Sequence, residues 1–291
     1  MSNILKFDVV KHDKIWGNEQ WIVSAHPNGV STITNGDYQG LTLAELFTKH
    51  PELFGNSNLS EFPLLVKIIE AEDHLSVQVH PDDVYATKYE NSLGKNECWY
   101  VMDCEADADI VVGHHLQSKE ELEMLINNND LESKLDIKKI NVGDFFDVPA
   151  GTIHAIRSGT KILEVQQSSD ITYRLYDYGR LENGMPRELH VEKSIDVVDF
   201  TPYSQSTPQH RETAQYTTDI LVDNQFFTVE KILATTSFEY PNDYNFIIGV
   251  ALNDQVVVNQ EQFSANQGFL VPAGENLNIE EGSEVYISYI R

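Results

Sequence analysis

Gly143-Asp144-Phe145-Phe146-Asp147-Val148-Pro149-Ala150-Gly151-Thr152-Ile153-His154 is the stretch on which the fold class turns. It reads as a strand up to Val148, a tight turn imposed by Pro149 and Gly151, and a second strand opened by His154, whose ring points inward. A shorter version recurs as Gly268-Phe269-Leu270-Val271-Pro272-Ala273-Gly274 and again leads into a strand. Two such units suggest a duplicated β architecture. A chance repeat of one Val-Pro-Ala-Gly turn is the other account. The second copy has Asn276-Leu277-Asn278 after its turn and no nearby histidine. A true repeat has therefore lost in its second copy whatever the first one binds.

Outward from these turns, short strands separated by turn formers dominate. Examples are Trp21-Ile22-Val23-Ser24, Leu64 to Ile69, Leu75 to Val79, Lys161 to Val165, Phe226 to Glu230, Phe246 to Val250 and Val256 to Val258. This spacing predicts a sandwich or barrel. Helical periodicity is confined to three stretches: Thr42 to Phe47, Pro81 to Tyr89, and Ser118 to about Asn127, the last with a capping-box pattern. Thr201 to Pro208 is rich in turn formers and poor in apolar residues, as linkers are. The expected division is 1–200 for a first domain, 201–215 for a linker and 216–291 for a second β domain.

Composition narrows the function. The chain has 291 residues, 46 acidic against 20 basic, and a formal charge of -26. That length supports one large or two modest domains. A surface so acidic excludes nucleic acid and anionic membranes as natural partners, since both demand basic patches. The N-terminus has no apolar run and small-residue cleavage site of the secretory kind, and nothing approaches a membrane span. Cys98 and Cys104 form no disulfide framework, so a cytoplasmic protein is expected.

Four pieces carry chemistry. In Ser76-Val77-Gln78-Val79-His80-Pro81, strand alternation puts Gln78 and His80 on one face. In Lys95-Asn96-Glu97-Cys98-Trp99-Tyr100, Lys95 and Glu97 share a face, and apolar neighbours suggest burial that demands a partner for the carboxylate. His154 supplies a second imidazole. Each piece alone also suits an ordinary hydrogen-bonded or solvated pair. Together, two His, one Glu and a neutral oxygen suit zinc or another divalent first-row metal with an open position. The fourth piece, Gln166 to Arg180, brings Arg174 and Arg180 into an arginine-poor chain, suited to a phosphate or a charged oxygen, or to pairing with Asp170 and Asp177.

These segments, with Ile15-Trp16-Gly17, Ser24 to Gly29, and Phe62 to Lys67, resemble the type I mannose-6-phosphate isomerases in their short bacterial form, from about Lys14 to Asp196. Gly-x5-Pro-x-Gly-x2-His resembles the second metal motif of the cupin superfamily, to which that family belongs. The resemblance implies a mainly β protein: a cupin-type jelly-roll barrel with helical decorations and a second, metal-free cupin-like domain. It implies a zinc enzyme, one ion per chain, interconverting mannose 6-phosphate and fructose 6-phosphate through an enediol. By motif position His80, Glu97 and His154 match the family's metal ligands, with Gln78 as the fourth. Arg174 matches the catalytic arginine, Lys95 a lysine of the pocket, and Asp170 an acidic residue assigned to ring opening. Two departures stand out: a short stretch between Trp16 and Trp21, and Ser158 where the cupin pattern often has Asn.

Two other classes compete. A non-catalytic sugar-phosphate-binding cupin predicts binding without turnover. A cupin oxygenase predicts an iron-type facial set, against which the lack of a His-x-His pair counts. Monomer and homodimer are both compatible with the sequence.

Overall fold

The computed structural model describes residues 4–290. The chain is mainly β, as expected, with a few short helices. It divides into two compact units, one formed by Met1–Val10, Gln20–Lys67 and Ser206–Arg291, the other by Lys11–Glu19 and Ile68–Gln205. One boundary, between Gln205 and Ser206, falls within 201–215, while the N-terminal part is divided further. Residues Gln20–Lys67 cluster with the C-terminal segment, and Gln209–Glu212 is a strand paired with Tyr216–Asp223. The boundary at Gln205/Ser206 falls within the turn-rich Thr201–Pro208, whereas those near Gln20 and Lys67 fall inside the strands Gly17–Val23 and Leu64–Ala71, where no composition break marks them.

The second unit carries the His-Glu-His residues on facing sheets. One sheet runs Tyr173–Tyr176, Val77–Val79, His154–Ile156, Asp109–His114, Leu135–Lys139. The other orders Val10–Lys14, Gly17–Val23, Leu64–Ala71, Thr160–Gln167, Glu97–Cys104, Phe145–Val148. The facing sides carry Trp99, Val101, Val112, Val148, Ile156 and Ile162 in one cluster, while Val77, Val79, Ala155, Tyr173 and Leu175, on the opposite face of their sheet, pack with Leu122 and Ile195 of two helices. At roughly 1.5–3 kcal/mol for each large buried side chain, this packing fixes the backbone on which the polar residues stand.

In the first unit, Leu5–Lys6, Gly268–Pro272, Phe246–Ala251, Glu284–Tyr289, Thr228–Ala234, Tyr216–Asp223 and Gln209–Glu212 form a seven-stranded sheet. A four-stranded sheet orders Phe238–Tyr240, Leu277–Ile279, Val256–Val258 and Glu261–Phe263. Ile232, Ile247, Val271, Leu277 and Ile287 belong to its core.

The helices follow their caps. Leu43–Lys49 starts from Thr42 with a complete capping box, Asp83–Tyr89 from Asp82, and Lys119–Asn127 from Ser118, whose hydroxyl accepts from the Glu121 N–H. A fourth helix, Val191–Val197, has no side-chain cap, which is why its start carries no sequence signal. The short Trp16 to Trp21 stretch runs directly into the strand Gly17–Val23. Among the described residues, no helix is long and apolar enough to cross a membrane.

Candidate active site

The turn quoted at the outset places His154. Gly151 has φ +87°, and a Cβ there would stand 3.0 Å from the Val197 carbonyl oxygen, so the position requires glycine. Its N–H donates to the His80 carbonyl at 2.9 Å, which ties the turn to the second histidine. His154 then pairs in register with Gln78, and Gln78 pairs on its other side with Arg174. Directly paired residues project from the same face of a sheet. His154, Gln78 and Arg174 therefore form one row across three adjacent strands. On the facing sheet Glu97 is paired with Gln166 and Val148.

The two sheets bring five of the expected residues into contact: His80, Glu97, His154, Lys95 and Gln78. His80, Glu97 and His154 are each 1% exposed. His154 Nε2 lies 3.1 Å from His80 Nε2 and 3.3 Å from Glu97 Oε1, and His80 Nε2 lies 3.5 Å from Glu97 Oε2. One donor atom from each falls within 4.8 Å of the others. Lys95, also buried, places Nζ 2.9 Å from His80 Nε2 and 3.1 Å from Glu97 Oε2. A cation thus already lies against two of the three donors.

The tautomer of His154 is set by its other nitrogen. Nδ1 is 2.8 Å from the Thr152 carbonyl oxygen, which only accepts, so Nδ1 carries the proton. In the neutral ring, Nε2 then presents its lone pair to Glu97 and His80, as a metal ligand must. Trp99 meets the His154 ring edge-on with centroids 5.4 Å apart and limits its rotation. The Gln78 amide is 3.3 Å from His154 Nε2, while its other end accepts from the Ser76 hydroxyl at 3.5 Å. Rotating that amide presents its oxygen instead. This donor set suits a first-row divalent cation.

Arg174 stands beside a second charged group. Its Nη1 donates to the Glu188 carbonyl at 2.7 Å, and its Nε is buried without a hydrogen-bond partner. Burial, together with the charge of Arg187, lowers its pKa. Asp177 accepts from Arg180 at 2.6 Å and from Arg187 through Nε at 2.7 Å and Nη2 at 2.6 Å. Burial opposes ionisation of Asp177, but the Arg187 and Arg180 hydrogen bonds prevail and hold its carboxyl below the usual range. Of the two local pairings open in the sequence, Arg180 adopts its own with Asp177. Asp170 is exposed, in the loop joining Thr160–Gln167 to Tyr173–Tyr176.

Arg187 was not anticipated. The signal lies in Asn183-Gly184, a two-residue turn between Leu181–Glu182 and Met185–Pro186 that folds the chain back and returns Arg187 to Asp177. Asn96 and Gln167 were also missed; their partners lie far off in sequence.

Residues 5–115 match the catalytic domain of phosphomannose isomerase type I. A mannose-6-phosphate isomerase of Streptococcus mutans is 44% identical over 277 residues, spanning 88% of each chain. The chain belongs to the type I phosphomannose isomerase family. It is an isomerase by that membership. A Bacillus subtilis member is 44% identical over 246 residues, 78% of each chain. The crystal structure of a Bacillus subtilis mannose 6-phosphate isomerase superposes with a TM-score of 0.94 at 36% identity, covering 99% of both chains. A mutant phosphomannose isomerase from Salmonella typhimurium, at 13% identity and a TM-score of 0.77 over the full length of both chains, shares the fold.

Proposed function

We propose that this isomerase interconverts D-mannose 6-phosphate and D-fructose 6-phosphate through an enediol, with a zinc ion held by His80, Glu97 and His154 and Gln78 as a fourth ligand. The observation that carries this reading is the single row His154–Gln78–Arg174, which aligns an arginine on the same face as the buried donor His154, two strands away. When bound, zinc supplies Lewis-acid stabilisation of charge on the sugar oxygens.

The chain's own residues do the rest. Arg174, its Nε free to donate, binds the sugar oxygens or the phosphate. Asp170 assists ring opening. Proton transfer then takes the C2 proton off and returns a proton to C1; the aldehyde at C1 becomes a hydroxyl and the C2 hydroxyl a ketone. Lys95 Nζ is the group placed to move that proton or to hold the oxyanion as it forms. The low exposure of Glu97 and both histidines keeps water from competing there.

A coupled assay with mannose 6-phosphate, run with and without a chelator, tests the reading. Turnover abolished by chelation and restored by zinc is expected. Full activity in a metal-stripped protein would rule out the zinc role, and binding without turnover would favour a non-catalytic sugar-phosphate binder.

A further inference from the structure

We propose that the Asn96–Gln167 amide pair is the joint that holds the three donor-bearing segments in register, and so sets the affinity of the site for its divalent cation. The inference rests on the metal assignment above. Gln167 Oε1 accepts from the Asn96 backbone N–H at 3.0 Å and from Asn96 Nδ2 at 2.7 Å, and the Gln167 N–H donates back to the Asn96 carbonyl at 3.0 Å. This fixes the residue before Glu97. Asn96 Oδ1 accepts from the Ala150 N–H at 3.0 Å, inside the turn that leads to His154. Gln167 Nε2 donates to Asp83 Oδ1 at 3.0 Å, three residues beyond His80, and the same oxygen accepts from the Gly94 N–H at 2.7 Å. One pair of side chains thus reaches all three segments.

Both amides are buried, at 7% and 5% exposure. Each lies one residue along from the Glu97–Gln166 register pair, so strand alternation points them away from the donors. They are positioning residues. Two buried amides cost free energy unless their polar atoms are all matched, and here all four side-chain N and O atoms have partners. An apolar pair of equal volume would pack but would leave the three backbones free to drift by fractions of an ångström. Groups that fix the orientation of metal ligands typically change affinity by about 10–100-fold, and this pair acts on the ligands through their backbone segments.

The test is titration of the full-length protein with Co²⁺ and Zn²⁺ against a chromophoric chelator, with the visible absorption of bound cobalt as a second readout. Gln167→Ala and Asn96→Ala should bind about 10–100-fold more weakly, with an altered cobalt band. Gln167→Glu should also weaken binding, because its carboxylate faces that of Asp83. Adding Asp83→Asn to Gln167→Glu removes the carboxylate–carboxylate repulsion and should restore part of the affinity and band, not all of it, because the oxygen facing Gln167 also accepts from the Gly94 N–H. Asn242→Ala, which removes a buried amide bonded to the Pro272 carbonyl in the other unit, should lower the melting temperature and leave cobalt affinity unchanged. If Gln167→Ala does not fold, Gln167→Glu and its rescue decide. Wild-type affinity and band in the folded variants would overturn this inference alone. A wild-type protein that takes up neither metal overturns the metal assignment and this inference with it.

Discussion

The two Val-Pro-Ala-Gly turns share a backbone and differ in what they present. Gly151 and Gly274 adopt φ of +87° and +77°, and three residues on stand His154 and Leu277. Strand register extends the correspondence. Gln78 pairs with His154 as Tyr240 pairs with Leu277. Glu97 pairs with Val148 as Ile247 pairs with Val271. Two residues beyond Gln78 and Tyr240 are His80 and Asn242. The positions of His80, Glu97 and His154 thus correspond to Asn242, Ile247 and Leu277. Ile247 and Leu277 lie in the core cluster of their unit. The same strand pairing serves as a donor scaffold in one unit and as plain core in the other.

The most direct way to break this comparison is to write one copy's residue into the other. His154→Leu should lower kcat/KM by about 10³-fold or more and abolish metal uptake. Near-normal turnover of mannose 6-phosphate by that variant would show that the buried group is not the site. Arg174→Ala should follow with a loss of about 10²–10³-fold while cobalt binding persists; loss of both together would make Arg174 a structural residue. The converse exchange, Ile247→Glu, places a carboxylate where nothing answers it, and should cost about 3–5 kcal/mol in denaturant unfolding. A variant as stable as wild type would mean that the second interior retains a polar partner.

The turn and three of its buried neighbours were legible because they are local: Pro149 and Gly151 dictate their own backbone, and alternation fixes which way Gln78 and His80 face. The grouping of His80, Glu97 and His154 was read by joining motifs and confirmed as proximity in space. Register was not legible. Nothing near Gln167 announces that it will meet Asn96, 71 residues away, or Asp83, 84 away. The compact units likewise follow pairings that return Gln20–Lys67 to the C-terminal segment, which no linker composition can signal. Val191–Val197 escaped notice because it lacks a capping side chain.

Smaller effects sharpen the comparison further. Asp147, one residue before Val148, corresponds to fully buried Leu270 in the second copy. Burial pushes its pKa up from 3.8 to about 6. The native state therefore holds a proton that the unfolded chain releases, and stability from this group falls as pH rises from about 4 through 6. Asp147→Asn should gain up to about 2 kcal/mol above pH 6 and nothing near pH 4; a gain independent of pH would refute this origin. Salt provides the mildest test. With a charge of -26, the phosphosugar of the proposed function would approach against a repulsive field, and its binding would rest on short-range contacts such as those proposed for Arg174. Raising ionic strength should leave kcat/KM unchanged or raise it about twofold, whereas a steep fall would show that the net charge does not govern the approach.

The spacing of the donors also sets a timetable. His80 and His154 are separated by 74 residues. A nascent chain that ends short of residue 154 offers at most two of the three donors, and the sheet that holds Glu97 includes the later strand Thr160–Gln167. Contacts of such range form late in folding. On the proposed metal assignment, the full donor set exists only once these distant segments have come together, so cation loading would report on a formed fold.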